Sequence, residues 1–393
     1  MRLAVVCYPT YGGSGVVATE LAIQLARRGH EIHMVSYEPP FRFADDEPNL
    51  HFHRVEVGEY PLFRYPPYAL NLANTIISLV EDQGVEVVHS HYAIPHAQAA
   101  WMAREVLREE RQLDVKLACT LHGTDITLVG REKSFYELTR FAIQRQDLLT
   151  TPSDWLARET EQEFHTGGHD IQVIPNFIDL ERFQPADGSE MRRSLGAEGK
   201  TIVTHVSNFR PVKRVEDVIG GFAALRGLRD AVLVLVGDGP EREKALDLAT
   251  ELGVRDDLRV LGKLDNLETV LQASDLFILP SVAESFGLAA LEALACGCPV
   301  IGYHAGGLPE VVEDEVSGLL CPQDQDICLG WLGHQLLEDS DRYQAMRLAA
   351  RQKAETFAID PIVDAYERAL CCLIHGPATC DTCLHEGEAT VSV

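Results

Sequence analysis

The chain has 393 residues, of which 46% are apolar and 24% are charged. These values fit a soluble globular protein with two domains of about 150–200 residues each. Its 60 acidic and 34 basic residues give a net charge of −26, which argues against nucleic acid or an anionic membrane as the main partner. No apolar run is long enough to span a membrane, and ten cysteines without a secretory signal predict reduced thiols in a cytoplasmic protein.

The first half of the chain alternates strand-like and helix-like segments. Amphipathic stretches at 16–28 and 68–83 lie between apolar runs that predict buried strands. The predicted strands are Leu3–Cys7, Ile32–Ser36, Val85–His89, Leu117–Leu121 and Leu148–Thr151. This alternation predicts a doubly wound α/β domain with a mostly parallel sheet and helices on both faces.

A glycine-rich turn follows the first predicted strand. Gly13-x-Gly15-x-x-Ala18 matches the dinucleotide-binding fingerprint, and Glu38 at the end of the next strand could be the ribose-binding acid. An NAD(P)-dependent oxidoreductase is therefore a competing interpretation. It is disfavoured because a Pro-Thr-Tyr insertion separates the strand from the glycines, and because it leaves residues 200–310 unexplained.

A second series of apolar runs predicts a second domain of the same kind. Its strands are Ile202–Val206, Ala231–Val236, Leu258–Leu261, Leu276–Leu279 and Pro299–Ile301. The polar, proline-bounded segment 173–185 between the two series is typical of an interdomain linker. We therefore divide the chain into an N-terminal domain (1–172), a C-terminal domain (173–357), a helical stretch at about 358–373 and a tail (374–393).

The segment Ser281–Glu292 places two glutamates around a predicted helix start. Unpaired backbone N–H groups near Gly287 and Leu288 would suit an anion such as a diphosphate. Glu284 lies in the loop before these amides, and Glu292 lies about a turn and a half into the helix. Because both carboxylates can accept hydrogen bonds from hydroxyls of one ligand, the pattern predicts a nucleotide-sugar site.

The order of motifs from residue 280 onward resembles the donor-site signature of the family 4 retaining glycosyltransferases. The signature, P-S-x-x-E-S-F-G-L-x-x-L-E-A, is followed by Gly297-Cys-Pro-Val and then by His304-Ala-Gly-Gly-Leu-Pro-Glu. The resemblance implies the GT-B fold, with two Rossmann-like doubly wound domains facing across a cleft. It also implies that the acceptor binds the first domain, that the UDP-sugar binds the second, and that the helix at about 358–373 crosses back to the first.

The resemblance assigns most contacts with the UDP-sugar to the second domain. A helix terminus contributes only ~0.3–1 kcal/mol to anion binding, so a fixed cation is expected, and Lys213 and Arg210 are the best placed. Asn208 stands where the family commonly has an arginine, which leaves open whether Arg210 serves the diphosphate or the acceptor. The implied donor-binding residues are Gly13, Arg210, Lys213, Gly262, Lys263, Glu284, Phe286, Gly287, Leu288 and Glu292.

A narrower resemblance, over about residues 1–372, concerns the acceptor. The glycine-rich opening, His89-Ser-His-Tyr92 and Asn208-Phe-Arg-Pro-Val-Lys-Arg214 resemble those family members that begin bacillithiol biosynthesis. Such enzymes transfer N-acetylglucosamine from UDP-N-acetylglucosamine to L-malate. The resemblance thus implies these two substrates, with no cofactor and no metal. The implied acceptor-binding residues are Ser14, Tyr92, Thr120, Asn208 and Arg210.

His122, Lys213 and Glu284 are the implied catalytic residues. His122 ends a first-domain strand, and by resemblance it contacts the transferred sugar, with its backbone carbonyl near the anomeric carbon. No carboxylate is placed as a covalent nucleophile on the far face of the sugar. The implied mechanism is therefore front-face displacement, in which the leaving phosphate takes the acceptor proton.

Several alternatives stay open at this level. The acceptor could be another small molecule, and a non-catalytic sugar-nucleotide sensor would show the same residue types. The sequence does not decide whether the chain forms a homo-oligomer. The tail has residue types that ligate zinc, but its single Cys-x-x-Cys lacks a matching pair, which is more typical of incidental cysteines. These residues are Cys371, Cys372, His375, Cys380, Cys383 and His385.

Overall fold

The computed structural model describes residues 1–10, 12–57, 67–166, 168 and 170–376. These residues form two compact units. Unit 1 contains Met1–Pro175 together with the described chain from Asp360 onward, and unit 2 contains Asn176–Ile359. Cys380, Cys383 and His385 of the tail lie outside the described residues.

Unit 1 is built on a seven-stranded sheet in which every pairing is parallel. The strands are β1 (Arg2–Val6), β2 (Glu31–Ser36), β3 (Leu50–Arg54), β4 (Val87–His91), β5 (Lys116–Thr120), β6 (Leu148–Thr151) and β7 (Ile171–Val173). The helices are α1 (Ser14–Arg27), α2 (Tyr68–Gln83), α3 (Gln98–Val106), α4 (Tyr136–Gln144) and α5 (Asp154–Phe164). The spatial order is β3-β2-β1-β4-β5-β6-β7, and the central strands are buried on both faces.

Unit 2 is built on a six-stranded parallel sheet. Its strands are β8 (Thr201–Val206), β9 (Ala231–Val236), β10 (Leu258–Gly262), β11 (Leu276–Leu279), β12 (Val300–Tyr303) and β13 (Gly318–Cys321). Its helices are α6 (Ser189–Ser194), α7 (Val215–Arg226), α8 (Arg242–Glu251), α9 (Leu267–Ala273), α10 (Leu288–Ala295), α11 (Leu308–Val311), α12 (Asp326–Glu338) and α13 (Ser340–Glu355). The spatial order is β10-β9-β8-β11-β12-β13.

The last described helix, α14 (Ile359–His375), packs on unit 1. Arg28 after α1 forms ion pairs with Asp364 and Glu367 at 2.6 and 2.7 Å, and the buried Tyr366 ring lies 5.9 Å from the His89 ring. No helix among the described residues is long and apolar enough to cross a membrane.

Both sheets have a point where the strand order reverses. It lies between β1 and β4 in unit 1 and between β8 and β11 in unit 2. Doubly wound folds bind ligands outside the carboxyl ends of the strands at this point. The segments after these four strands are therefore where functional side chains are expected.

Candidate functional site

The residues after β8 and β11 meet through an ion pair in unit 2. The Nζ atom of Lys213 lies 2.7 Å from the Oε2 atom of Glu284, and these side chains are only 20% and 11% exposed. Lys213 ends a short 3₁₀ turn, Pro211–Lys213, which we call the Lys213 turn. Glu284 lies in the segment Ser281–Gly287, which we call the Glu284 loop. A half-buried ammonium beside a carboxylate can bind an anion and a hydroxyl group at neighbouring positions.

Glycine at position 306 allows a third segment to hold the Glu284 loop. Gly306 has a φ of +62°, and a Cβ atom there would lie 2.1 Å from the carbonyl oxygen of Glu284. The next amide, Gly307 N–H, donates to that same carbonyl at 2.7 Å. We call His304–Gly307 the Gly306 loop. Because only glycine permits this approach, the Gly-Gly pair fixes the backbone that carries Glu284.

A buried histidine orders the segment after β8. His205 Nδ1–H donates to the carbonyl oxygen of Ile278 at 2.9 Å, so its Nε2 atom accepts from the Ser207 hydroxyl at 2.8 Å. The Ser207 oxygen then accepts the N–H of Phe209 at 3.2 Å. Burial lowers the pKa of His205 to about 4, which keeps the ring neutral in this role. His205 was not identified from the sequence, although a histidine near the carboxyl end of a predicted strand could have indicated a residue close to the site.

The start of α10 has the features predicted for an anion site. Gly287 precedes the helix with a φ of +104° and, having no side chain, does not cap the first-turn N–H groups that begin at Leu288. Glu292 lies on the same helix and is 8% exposed. Phe286 is 2% exposed and packs edge-on against Phe357, so its side chain supports the loop from within the core.

The remaining predicted residues of unit 2 lie on nearby strand ends. Asn208 and Arg210 are exposed, and the guanidinium of Arg210 makes no hydrogen bond or ion pair with another described residue. Gly262 ends β10 with a φ of +67°, and its carbonyl accepts the N–H of Gly237 at 2.7 Å. Lys263 follows it and is exposed. Recognition of the base by this segment stays a prediction.

In unit 1, the residues after β1 and β4 meet through a hydrogen bond. Ser14, the first residue of α1, donates from its hydroxyl to the Tyr92 hydroxyl at 2.8 Å. Gly13 precedes the helix with a φ of +59°, and no side chain caps α1. Gly15 is needed for packing, because a Cβ atom would lie 2.7 Å from the carbonyl oxygen of Tyr8. Two hydroxyls and the N–H groups of a helix start at one strand edge can bind a carboxylate.

Four histidines, His89, His91, His96 and His122, form a cluster at the carboxyl ends of β4 and β5. Nδ1 of His91 lies 2.8 Å from Nε2 of His122, and Nδ1–H of His96 donates to the His91 carbonyl at 2.6 Å. Burial is the main cause that lowers the pKa of all four, to about 3 for His122. The cluster is therefore neutral at pH 7.

Neutrality constrains which nitrogen of His122 carries the proton. Nε2 of His91 is buried without a partner among the described residues. Buried unpaired N–H groups are rarer than unpaired acceptors, so the favoured tautomer of His91 is protonated at Nδ1 and donates to His122. The proton of neutral His122 then lies on Nδ1, which can donate to a ligand.

Asp125 is a residue that the sequence did not single out for a role. Its carboxylate accepts the N–H groups of His122 and Gly123 at 3.1 and 3.0 Å, and that of Ala93 at 3.0 Å. Burial nevertheless raises its pKa to about 6. By tying the segments after β4 and β5 together, Asp125 fixes the backbone on either side of the His122 carbonyl.

Thr120 differs from the other predicted acceptor residues. It is fully buried, and its hydroxyl lies 2.7 Å from His89 Nε2 and 2.6 Å from the Thr150 hydroxyl. The structure thus brings Ser14 and Tyr92 together but places the Thr120 hydroxyl deeper, among residues of the sheet. A contact between Thr120 and an acceptor stays a prediction.

Two family profiles together cover most of the chain. The family described as Glycosyltransferase Family 4 matches residues 11–182, and the family described as Glycosyl transferases group 1 matches residues 187–353. The first profile spans the Ser14–Tyr92 site of unit 1. The second spans the Lys213–Glu284 site of unit 2.

Individual relatives agree with these profiles. The chain is 42% identical to an N-acetyl-alpha-D-glucosaminyl L-malate synthase of Bacillus anthracis, over 93% of this chain and 96% of that protein. It is 31% identical to a D-inositol 3-phosphate glycosyltransferase of Mycolicibacterium paratuberculosis, over 91% and 86% of the two chains. Among solved structures, sucrose-phosphate synthase of Thermosynechococcus elongatus superposes with a TM-score of 0.81 at 21% identity, covering 94% and 98%. The predicted GT-B class, with two parallel α/β domains, is confirmed.

Proposed function

Because the chain belongs to the family 4 glycosyltransferases, we propose that it transfers N-acetylglucosamine from UDP-N-acetylglucosamine to the hydroxyl of L-malate, with retention at the anomeric carbon. This reaction would be the first step of bacillithiol biosynthesis. The observation that carries the proposal is the 42% identity with an N-acetyl-alpha-D-glucosaminyl L-malate synthase over 93% of the chain. Membership of the family removes the oxidoreductase interpretation of the first glycine-rich turn.

We assign the donor to unit 2. Lys213 and the amides at Gly287 and Leu288 would stabilise the departing diphosphate, where negative charge grows in the transition state. Glu284 would accept hydrogen bonds from sugar hydroxyls, and Glu292 would accept them from the ribose. The proposal is supported by the half-buried Lys213–Glu284 pair, which sets a cation and an acceptor 2.7 Å apart.

We assign the acceptor to unit 1, with Ser14 and Tyr92 as hydrogen-bond partners of malate. In the proposed reaction the bond from the anomeric carbon to the diphosphate oxygen breaks, and a bond to the malate hydroxyl oxygen forms on the same face. The malate proton passes to the departing diphosphate. Nδ1–H of His122 would donate to the transferred sugar, a role supported by its neutral state.

The proposed setting is the cytoplasm. Seven of the eight described cysteines form no disulfide, as expected in a reducing compartment, but Cys372 is disulfide-bonded, so the prediction that all the thiols are reduced is wrong at that position. The assignment of Arg210 is the least constrained part of the proposal and can be tested separately from the reaction.

Product formation from UDP-N-acetylglucosamine and L-malate tests the reaction itself. We expect turnover in the presence of a metal chelator, because Lys213 and the helix amides would supply the charge that a metal supplies elsewhere. Thermal shift should show stabilisation by UDP and none by NAD(H). Binding of UDP without any product would favour the sugar-nucleotide sensor, and strict dependence on a divalent ion would contradict the metal-free mechanism.

Replacing Arg210 with alanine should weaken UDP binding by about tenfold, the typical effect of one lost charge-assisted hydrogen bond. The reason is that this guanidinium, which has no partner within the described part of the chain, immediately precedes the turn that carries Lys213. Calorimetric titration with UDP and steady-state kinetics with malate provide the measurement. A rise confined to the KM for malate would assign Arg210 to the acceptor, and normal constants for both ligands would exclude it from the site.

A further inference from the structure

Asp217 and Tyr303 form a buried hydrogen bond close to the Lys213 turn. The Tyr303 hydroxyl donates to Oδ2 of Asp217 at 2.7 Å, and Arg214 Nε donates to the same oxygen at 2.9 Å. Tyr303 is fully buried and Asp217 is 8% exposed. A short hydrogen bond to a shielded carboxylate is stronger than a neutral one and restricts both partners.

Each of the two residues lies next to one of the segments that hold the Lys213–Glu284 pair. Arg214 directly follows the Lys213 turn and precedes α7, and Asp217 lies in the first turn of that helix. Tyr303 ends β12 and directly precedes the Gly306 loop. The hydrogen bond therefore joins the start of α7 to the end of β12.

Backbone hydrogen bonds complete a closed path through the same segments. Val282 of the Glu284 loop donates its N–H to the carbonyl of Val212 in the Lys213 turn at 3.1 Å. The Glu284 carbonyl accepts from Gly307 of the Gly306 loop at 2.7 Å. The path runs from the Lys213 turn to the Glu284 loop, then to the Gly306 loop and Tyr303, and returns through Asp217. A closed path resists a displacement that an open chain of contacts would allow.

We propose that Asp217 and Tyr303 are positioning residues that fix the distance between the Lys213 turn and the Gly306 loop. They would thereby keep the side chains of Lys213 and Glu284 at the relative position that binding of the donor diphosphate requires. The inference rests on the proposed function for the identity of the ligand. Neither residue touches the ligand in this role. Catalytic groups need placement within about 0.5 Å, and a shift of about 1 Å can cost a hundredfold in rate, so a pair that spans two segments has a measurable effect.

The variant Tyr303→Phe removes the hydroxyl and keeps the ring. We expect its Kd for UDP to rise about tenfold and kcat/KM for UDP-N-acetylglucosamine to fall by at least as much. Tyr343→Phe is the matched control, because the Tyr343 hydroxyl donates to the carbonyl of Asp275 at 3.1 Å, just before β11 and therefore at the amino ends of the strands, away from the carboxyl ends where Lys213 and Glu284 lie. It should leave UDP affinity unchanged. Equal UDP affinity in the two variants would overturn the proposal.

A double variant separates positioning from a purely structural role. If Tyr303 acts through Lys213, the tenfold effect of Tyr303→Phe on UDP affinity should disappear in the Lys213→Ala background, whereas a general loss of packing would persist there. Persistence of the full effect would therefore contradict the proposal. Should Tyr303→Phe fail to fold, Asp217→Asn, which keeps an oxygen acceptor, should bind UDP more tightly than Asp217→Ala, and equal Kd values would contradict it. Because UDP binding needs no acceptor, these results stand even if malate proves to be the wrong substrate.

Discussion

The variant Lys213→Ala is expected to lower kcat/KM for UDP-N-acetylglucosamine by about 10²–10³-fold, the usual effect of removing one group that stabilises developing charge. The Lys213 ammonium is the half-buried cation paired with Glu284, with 20% of its side chain exposed. Its removal deprives the diphosphate of a cation. It also leaves the Glu284 carboxylate without its partner next to an anionic ligand, which adds repulsion. Steady-state kinetics at varied donor concentration would measure both consequences.

Two further variants identify the cause of the loss. Lys244→Ala removes the same charge from unit 2, where Lys244 pairs with Glu216 and Glu241 at the surface, and it should leave the kinetics unchanged. Adding Glu284→Gln to the Lys213→Ala variant should recover part of the UDP affinity, because the unpaired carboxylate is then gone. A loss of less than tenfold in the Lys213 variant would refute a direct role in donor binding.

Mild acid should lower the free energy of unfolding of the protein. His89, His96 and His205 are fully buried, and burial lowers their pKa values to about 4. In the unfolded chain a histidine has a pKa of about 6.5, so between pH ~6.5 and ~4 the unfolded state binds protons that the folded state does not. Each such residue lowers the free energy of unfolding by about 1.4 kcal/mol per pH unit within that window.

The three histidines together should remove about 6 kcal/mol of stability between pH 7 and pH 5. Asp125 acts with the opposite sign, because burial raises its pKa to about 6 and the folded state then takes up the proton first. It offsets about 1.4 kcal/mol over the same range. For these four groups the loss exceeds the gain by about 4–5 kcal/mol, close to the lower end of the stability of a domain, about 5–15 kcal/mol.

Urea unfolding at pH 7, 6 and 5 would measure this loss. The variant His89→Asn should reduce the slope of unfolding free energy against pH by about 1.4 kcal/mol per unit. An unfolding free energy that stays constant between pH 7 and pH 5 would show that these rings are protonated in the folded state.

Buried central strands are the part of the fold that the sequence predicts best. The predicted strands 148–151, 231–236 and 276–279 have the observed bounds, and the last two are continuous apolar runs, as strands covered on both faces require. Three strands were missed: β3, β7 and β13. In β3 the sequence Leu-His-Phe-His-Arg lies at a sheet edge and is largely accessible, so it lacks such a run. The predicted strand 85–89 lies at 87–91, a shift of two residues that moves His91 into the sheet.

The sequence allows individual motif residues of the candidate site to be predicted, but not the contacts that these residues make with one another. Glu284, Gly287 and Lys213 could be recognised because strand ends and helix starts position them locally. The Lys213–Glu284 ion pair joins residues 71 positions apart, and the Tyr303–Asp217 bond spans 86, so neither has a signature in the local sequence. The role of Asp125 could not be recognised because one of its backbone partners, Ala93, becomes a neighbour only when β4 and β5 pair.

The first and last few residues of unit 2 are joined by backbone hydrogen bonding. Ile178 forms a β-bridge with Ala358, and its N–H donates to the Phe357 carbonyl at 2.9 Å. Residues 176–359 therefore form one continuous segment that interrupts the sequence of unit 1, and the first and last few residues of this segment are neighbours. Such a segment can be excised with no loose strand at either end, and its joined termini suit circular permutation at an exposed loop. The unit to which we assign the donor is therefore suited to expression as a separate domain.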